Sequence, residues 1–291
     1  MLPRAFDYYN PSSLAEAAAL LKKHGGEAKI LSGGHSLVPL MKLRFASPAI
    51  IIDLNSIAGL DYLKEEGGML KIGALARESA LESSAVIKKS FPILADAAKV
   101  IADPLVRNRA TIVGNLAHGD PANDHPAVML ALGAELVATN GKKERVIHVN
   151  EFFLGTLETA LKEDEILKEV RVPIPPAKSG GAYLKIERKV GDFAIVAVAA
   201  QVTLDDKGQI KTAGIGLTNV GPVPIKATAA EAALVGKLPN ESVYAEAGRL
   251  AADASKPASD NRAPADYKKS MVREFTIRAL RLAVGRAQGG K

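Results

Sequence analysis

Two short glycine-bearing segments, Ser32-Gly33-Gly34-His35-Ser36 and Thr111-Ile112-Val113-Gly114-Asn115, each leave an apolar run and enter a helix-forming stretch. Small residues at such turns let main-chain N–H groups approach phosphate oxygens, and the following helix offers its positive end to the anion. One such segment is an ordinary turn in most chains. Two of them in one α/β pattern predict a cradle for a nucleotide carrying two phosphates.

The common nucleotide fingerprints are absent. Gly33-Gly34-His35-Ser36 fails the G-x-G-x-x-G spacing that a dinucleotide fold of the NAD type needs. Gly214-Ile215-Gly216-Leu217-Thr218-Asn219 ends in Asn and lies within a strand pattern, so it reads as structural. No Gly-Lys-Ser/Thr follows a glycine at the spacing of a Walker loop, which removes support for ATP hydrolysis.

The length of 291 residues accommodates two domains, and 47% hydrophobic with 24% charged residues is ordinary for a soluble globular protein. With no Trp and 4% aromatics, packing must rest on aliphatic helices and strands, as in an α/β or α+β enzyme. The formal charge of +6 is spread among acidic residues rather than gathered in a block, and no basic stretch is interleaved with aromatics, so a nucleic-acid partner is not expected. The absence of cysteine excludes disulfides, a thiolate nucleophile, Cys-ligated zinc and any iron–sulfur cluster held by this chain's own thiolates. Met1 to Asp7 lacks the apolar region of a secretion signal and no run of about eighteen apolar residues occurs, so no transmembrane segment and a cytoplasmic location are expected.

Along the chain, helical spacing covers Leu14 to His24, with Ser12 or Ser13 placed to cap it and Gly25-Gly26 to stop it. A strand is expected at Ala28 to Leu31, a helix at Leu37 to Phe45 and a buried strand at Ala49 to Leu54. Leu60 to Leu63 and Met69 to Ile72 read as a hairpin across Lys64 to Gly68, followed by helices at Ser79 to Lys89 and Pro92 to Val100. Beyond the second glycine segment come a helix at Pro126 to Leu132, strands at Glu135 to Thr139 and Lys142 to His148, a short element at Val149 to Phe153, and a strand at Glu165 to Pro173. The cluster Pro173 to Gly181 marks the domain boundary, placed at 177/178. After it come strands at Tyr183 to Val190, Ala194 to Leu204 and Ile210 to Leu217, then mostly helix to a frayed end at Gly289-Gly290-Lys291.

The ordered set Ser32 to Leu37, Arg107 to Asn115, Gly119-Asp120-Pro121-Ala122-Asn123-Asp124-His125-Pro126, Val190 to Ala194 and Asp266 to Met271 resembles the FAD-binding medium subunit of the molybdenum hydroxylases, the xanthine dehydrogenase and carbon monoxide dehydrogenase flavoprotein family. The likeness spans nearly the whole chain. It implies an α+β fold: a two-lobed FAD-binding domain of the vanillyl-alcohol oxidase (PCMH) type over residues 1–177, and a C-terminal antiparallel sheet-and-helix domain over residues 178–291.

The resemblance also implies the site. Ser32, Gly33, Gly34, His35, Ser36 and Leu37, with Thr111, Ile112, Val113, Gly114 and Asn115, would hold the FAD pyrophosphate through main-chain N–H groups, Ser36, Thr111 and Asn115 adding side-chain donors. Asp124 would bind the nucleotide end of the cofactor, and Leu167 and Lys185 would line the flavin site. Ile101 matches the position packing on one face of the isoalloxazine ring. Asp192 precedes Phe193, which stands where some relatives carry Tyr and could shield the other face without a hydroxyl to donate. Val113 departs from the family's usual Gly, and an ordinary β-region backbone is expected there.

The implied function is an FAD-containing electron-transfer subunit of a molybdenum hydroxylase complex. Electrons would come from [2Fe–2S] clusters on a small subunit, fed by a molybdopterin-binding large subunit, within a dimer of heterotrimers, and would pass to an external acceptor. The missing cysteines agree with clusters held elsewhere and count against the 4-hydroxybenzoyl-CoA reductase branch. Two other readings stay open: a stand-alone flavin reductase, and a non-catalytic assembly subunit with a decayed flavin site.

Several residues carry plainer readings. His35 is expected as a packed or capping residue rather than a base. His118, Asp120, Asp124 and His125 could form a metal cluster on residue type alone. The prolines at 121 and 126 favour a loop that starts a helix under the cofactor, with Asp124 as its cap. Lys185 could simply snorkel along a strand edge, and Asp192 could be a turn residue.

Overall fold

The computed structural model describes residues 2–290. Its first lobe is a parallel unit: β1 (Asp7–Tyr9), α1 (Leu14–His24), β2 (Ala28–Leu31), α2 (Leu37–Lys42) and β3 (Ile50–Asp53), with strand order β1-β3-β2. The Ser13 hydroxyl accepts the Glu16 amide and starts α1, while Gly25 ends it. Sequence periodicity overextends α2 to Phe45. Arg44 takes a left-handed conformation that stops the helix, and Phe45 is exposed.

The second lobe holds β4 (Leu63–Glu66), β5 (Met69–Gly73), α3 (Glu78–Ser83), α4 (Ala85–Ser90), α5 (Pro92–Val100), α6 (Pro104–Arg107), α7 (Ile112–His118), α8 (Asp124–Leu132), β6 (Glu135–Thr139), β7 (Glu144–His148), β8 (Phe153–Gly155), β9 (Glu158–Thr159) and β10 (Ile166–Pro173). Its main sheet runs β4-β5-β10-β6-β7 and is antiparallel. The hairpin differs from expectation. Lys64, Glu65 and Glu66 belong to the first strand, and only Gly67-Gly68 turn, because β4 is an exposed edge strand on which charged side chains stay in water. The single helix expected over 79–89 is broken by Ser84, whose hydroxyl caps α4 on the Ile87 amide.

The C-terminal part comprises β11 (Ser179–Ile186), β12 (Val196–Leu204), β13 (Ile210–Thr218), β14 (Ile225–Lys226), α9 (Thr228–Leu234), α10 (Glu241–Ala254) and α11 (Ala265–Ala287). The sheet order is β11-β12-β13-β14, all antiparallel. Ser179, Gly180 and Gly181 are strand residues rather than linker. The amides of Gly289 and Gly290 bond back to Arg286 and Gly285 rather than fraying, and Lys291 lies outside the described residues.

Alternation along β12 explains how the parts join. Ala197 and Ala199 enter the core built mainly by the first two lobes, whereas Val196, Val198, Ala200 and Val202 enter the core under α9 to α11. The sheet is thus covered on both faces, by α8 and α5 on one side and α11 on the other. The glycines of the Gly214-Ile215-Gly216 segment make this packing possible. A Cβ at Gly214 would lie 1.9 Å from the Ala131 carbonyl oxygen, and one at Gly216 2.0 Å from that of Ala127, so α8 rests directly on β13. Gly214→Ala is expected to destabilise the chain by about 2–3 kcal/mol through overpacking, read as a lowered urea midpoint at constant m.

Candidate cofactor site

The two glycine segments meet. Ser32 follows β2, and its hydroxyl lies 3.1 Å from Thr111 Oγ1 and donates to the Ala74 carbonyl at 3.1 Å. A Cβ on Gly33 would come within 2.4 Å of the Arg109 carbonyl oxygen and 2.8 Å of Ala110 Cα, so the two main chains touch there. Gly34 has φ of 78°, which lets the chain turn from β2 toward α2. Ser36 precedes α2, and Leu37 is its first residue.

The second segment differs from expectation in two ways. It follows the short helix α6 rather than an apolar run, and Ile112 to Asn115, expected as a loop, form the first turn of α7. Thr111 is the cap: its Oγ1 accepts the Gly114 amide at 3.1 Å. Val113 is accordingly helical, not β, and buried in the core, so the β-branched side chain is accommodated without a left-handed backbone.

Two residues that sequence reasoning missed brace the segments. Asn55 donates from Nδ2 to the Ser32 carbonyl at 2.9 Å, and Arg77 donates to Asn55 Oδ1 and to the Arg109 carbonyl, both at 2.6 Å. Burial and the neighbouring Arg109 hold the Arg77 guanidinium below its ordinary pKa. Beside this strut lies a cleft of about 350 Å³, lined by Leu31, the Ser32–His35 turn, Val38, Lys42 and Arg109 among others. His35 is exposed, not packed, with Nδ1 2.9 Å from the Gly33 carbonyl oxygen.

A second group forms where β11 crosses the start of α8. Asp124 is buried and does not cap its helix; Asn123 occupies that position, and Asp124 turns inward. Its Oδ1 accepts the Tyr183 hydroxyl at 2.5 Å, and its Oδ2 accepts the Lys185 ammonium at 3.2 Å. Lys185 Nζ also donates to the Val100 carbonyl at 3.0 Å. Lys185 is therefore a buried ion-pair partner, not a snorkelling edge residue. Burial pushes the Asp124 carboxyl above the usual carboxylate range, Lys185 and Tyr183 pulling the other way, and burial beside Asp124 raises the Tyr183 hydroxyl strongly. Asp124 and Lys185, expected at opposite ends of a cofactor, are in contact.

The remaining residues sit as follows. Ile101 follows α5, one residue after the carbonyl that Lys185 holds, and is buried. Leu167 is a buried β10 residue at a bulge. Asp192 lies in a turn, where its carboxyl is held low by a hydrogen bond from Arg262. Phe193 is half exposed, with the Arg262 guanidinium 5.9 Å from its ring centre. His118, Asp120, Asp124 and His125 do not converge: His125 Nε2 pairs with Glu78 Oε2 at 2.8 Å in the core, and the described residues contain no group of three or more acidic or His side chains that could hold a metal.

The residues fit a flavin dinucleotide. Asn115 Oδ1, in the first turn of α7, is buried without a protein partner, an acceptor that a hydroxyl or N–H of the cofactor, though not its phosphates, would satisfy. Residues 4–175 match the family described as FAD binding domain in molybdopterin dehydrogenase. The chain belongs to that family. Residues 181–283 match the CO dehydrogenase flavoprotein C-terminal domain. This flavoprotein is 44% identical over 290 residues to the carbon monoxide dehydrogenase medium chain of Hydrogenophaga pseudoflava, covering 98% of this chain and 99% of that one. It superposes with TM-score 0.95 and 45% identity on the carbon monoxide dehydrogenase of that organism solved without the Mo-pyranopterin moiety, covering 98% and 99% of the two chains. On quinoline 2-oxidoreductase from Pseudomonas putida 86 the TM-score is 0.91 at 32% identity, with 99% of each chain covered. The architecture is the α+β flavoprotein fold of these enzymes, an FAD-binding part followed by a sheet-and-helix part, and the chain is an FAD-dependent oxidoreductase subunit of the medium-chain type.

Because Asn115 Oδ1 has no protein partner, Asn115→Ala costs no hydrogen bond to that atom in the empty chain. The expected result is weaker FAD binding by about tenfold with little change in thermal midpoint, measured by flavin fluorescence titration and calorimetry.

Proposed function

We propose that the two segments 32–37 and 111–115 hold the FAD pyrophosphate through main-chain N–H groups, with Asn115 Nδ2 as a side-chain donor and its unpartnered Oδ1 accepting from a cofactor hydroxyl. The touching main chains at Gly33 and Arg109 carry this reading, since they leave small residues and a helix start at one place. Ile101, Asp124, Leu167, Lys185, Asp192 and Phe193 are assigned to the isoalloxazine end, and the cleft beside His35 and Lys42 to the nucleotide half. The split into domains 1–177 and 178–291 belongs to the same proposal.

Bound there, FAD would supply electron storage between the [2Fe–2S] clusters of a partner chain and an external acceptor. This chain's residues do the rest. Gly33 lets the two segments come together, Thr111 fixes the α7 start by accepting the Gly114 amide, and buried Lys185, paired with Asp124, would stand at the isoalloxazine end. No side chain here needs to act as acid or nucleophile on the complex's substrate.

The partners are a [2Fe–2S] small subunit and a molybdopterin-binding large subunit in a cytoplasmic dimer of heterotrimers. Two features support this: the chain has no cysteine to ligate a cluster of its own, and no described helix is long and apolar enough to cross a membrane. Affinity purification of the tagged chain from its native cell, with iron, molybdenum and flavin analysis, is the test. Two co-purifying chains with iron and molybdenum are expected. Flavin without partners or metals points to a stand-alone reductase, and partners and metals without flavin to an assembly role.

A further inference from the structure

The C-terminus of α5 ends in a turn that two buried cations hold. Lys185 takes the Val100 carbonyl, and Arg107 donates from Nη1 to the next two carbonyls, Ile101 at 2.9 Å and Ala102 at 3.2 Å. Helix C-termini leave their last carbonyls unpaired and carry partial negative charge, so cations there are well placed. Arg107 is only 8% exposed, and its other edge donates to Glu82 on α3, Nε to Oε2 at 2.8 Å and Nη2 to Oε1 at 3.4 Å. This brace meets a real demand: Ala102 has φ of 46°, in the left-handed region that an L-residue disfavours. The 188–193 loop also closes on this turn. A Cβ at Gly191 would stand 2.7 Å from the Ala102 oxygen, so the loop carrying Phe193 packs on that carbonyl.

We propose that Arg107, braced by Glu82, is a positioning residue for the flavin: it fixes the strained Ile101–Ala102 turn and so sets how the Ile101 side chain meets the isoalloxazine ring. The inference rests on the assignment of Ile101 to the flavin face. Arg107 acts through Ile101 and touches no cofactor itself. A lysine cannot replace it, because one ammonium cannot reach two carbonyls and a carboxylate in the fork geometry.

The test uses the full chain loaded with FAD, in wild type, Arg107→Met, Arg107→Lys, Glu82→Gln, Ile101→Ala and the Arg107→Met/Ile101→Ala double variant. FAD affinity, the visible absorption and circular dichroism of bound flavin, and the thermal midpoint of the empty chain are read together. Arg107→Met is expected to weaken FAD at least about tenfold and to change the visible dichroism as Ile101→Ala does. Arg107→Lys should not rescue it. The double variant should add little to either single change, since both act on one contact. Glu82→Gln, a milder change at a half-exposed residue, should shift the spectrum in the same direction by less, and it decides the matter if Arg107→Met does not fold. A lowered thermal midpoint with unaltered affinity and spectrum in Arg107→Met or, where that variant does not fold, in Glu82→Gln overturns the proposal. Failure of the wild type to bind FAD overturns the underlying site assignment instead.

Discussion

Gly33→Val is expected to abolish measurable FAD binding while leaving the chain folded. The new Cβ would lie 2.4 Å from the Arg109 carbonyl and 2.8 Å from Ala110 Cα, and both are main-chain atoms with no rotamer to yield. The two segments must therefore separate, breaking the 3.1 Å contact between the Ser32 and Thr111 hydroxyls. Moving one half of a phosphate cradle should lower affinity by more than about a hundredfold, equivalent to about 2.7 kcal/mol of lost cofactor binding. The stability cost stays nearer 1–3 kcal/mol, because overpacking is local. Gly34→Ala makes the contrast: its Cβ meets only side-chain atoms, at 3.3 Å, and its penalty is the left-handed φ, about 1–2 kcal/mol. Fluorescence titration of both variants should rank Gly33→Val well below Gly34→Ala. The reverse order would mean that the segments do not meet over the cofactor.

Lys185→Met should destabilise the chain by about 3–5 kcal/mol at neutral pH, because it leaves the Asp124 carboxylate buried without its cation. The pH dependence carries the diagnosis. Burial already holds the Asp124 carboxyl above its unfolded value, and removing Lys185 raises it further. In the window between the unfolded and folded values the folded chain binds more protons, so stability rises as pH falls and is lost as pH rises through the folded value. Urea unfolding should show a deficit that is largest above neutrality and shrinks on acidification. Adding Asp124→Asn to Lys185→Met should recover much of the loss at neutral pH. A deficit independent of pH would show that the charge of Asp124 is not its source.

The parts of this structure legible in the sequence are those fixed locally. Ser13 and Gly25 delimit α1, the β-branched run at Ile50–Asp53 makes a buried strand, and the first glycine turn falls between β2 and α2. Edges and breaks were harder. Charged residues at Lys64 to Glu66 look like loop until their strand is seen to be exposed, and Ser84 splits a continuous helical pattern by offering its hydroxyl to the backbone. The site was legible only where a motif carried it. The Asn55–Arg77 strut joins residues 22 apart in sequence to two loops, and Tyr183 reaches Asp124 across 59 positions. No local periodicity encodes such pairs; only the fold brings them together.

FAD binding by the paired segments underlies the proposed function. The most direct measurement is a titration of the purified chain with FAD, followed by gel filtration and the visible spectrum of the protein peak. Saturable binding of one flavin per chain is expected, retained through the column and lost in Gly33→Val. Flavin that stays in the free fraction with the wild type, or that binds equally well to Gly33→Val, would contradict it.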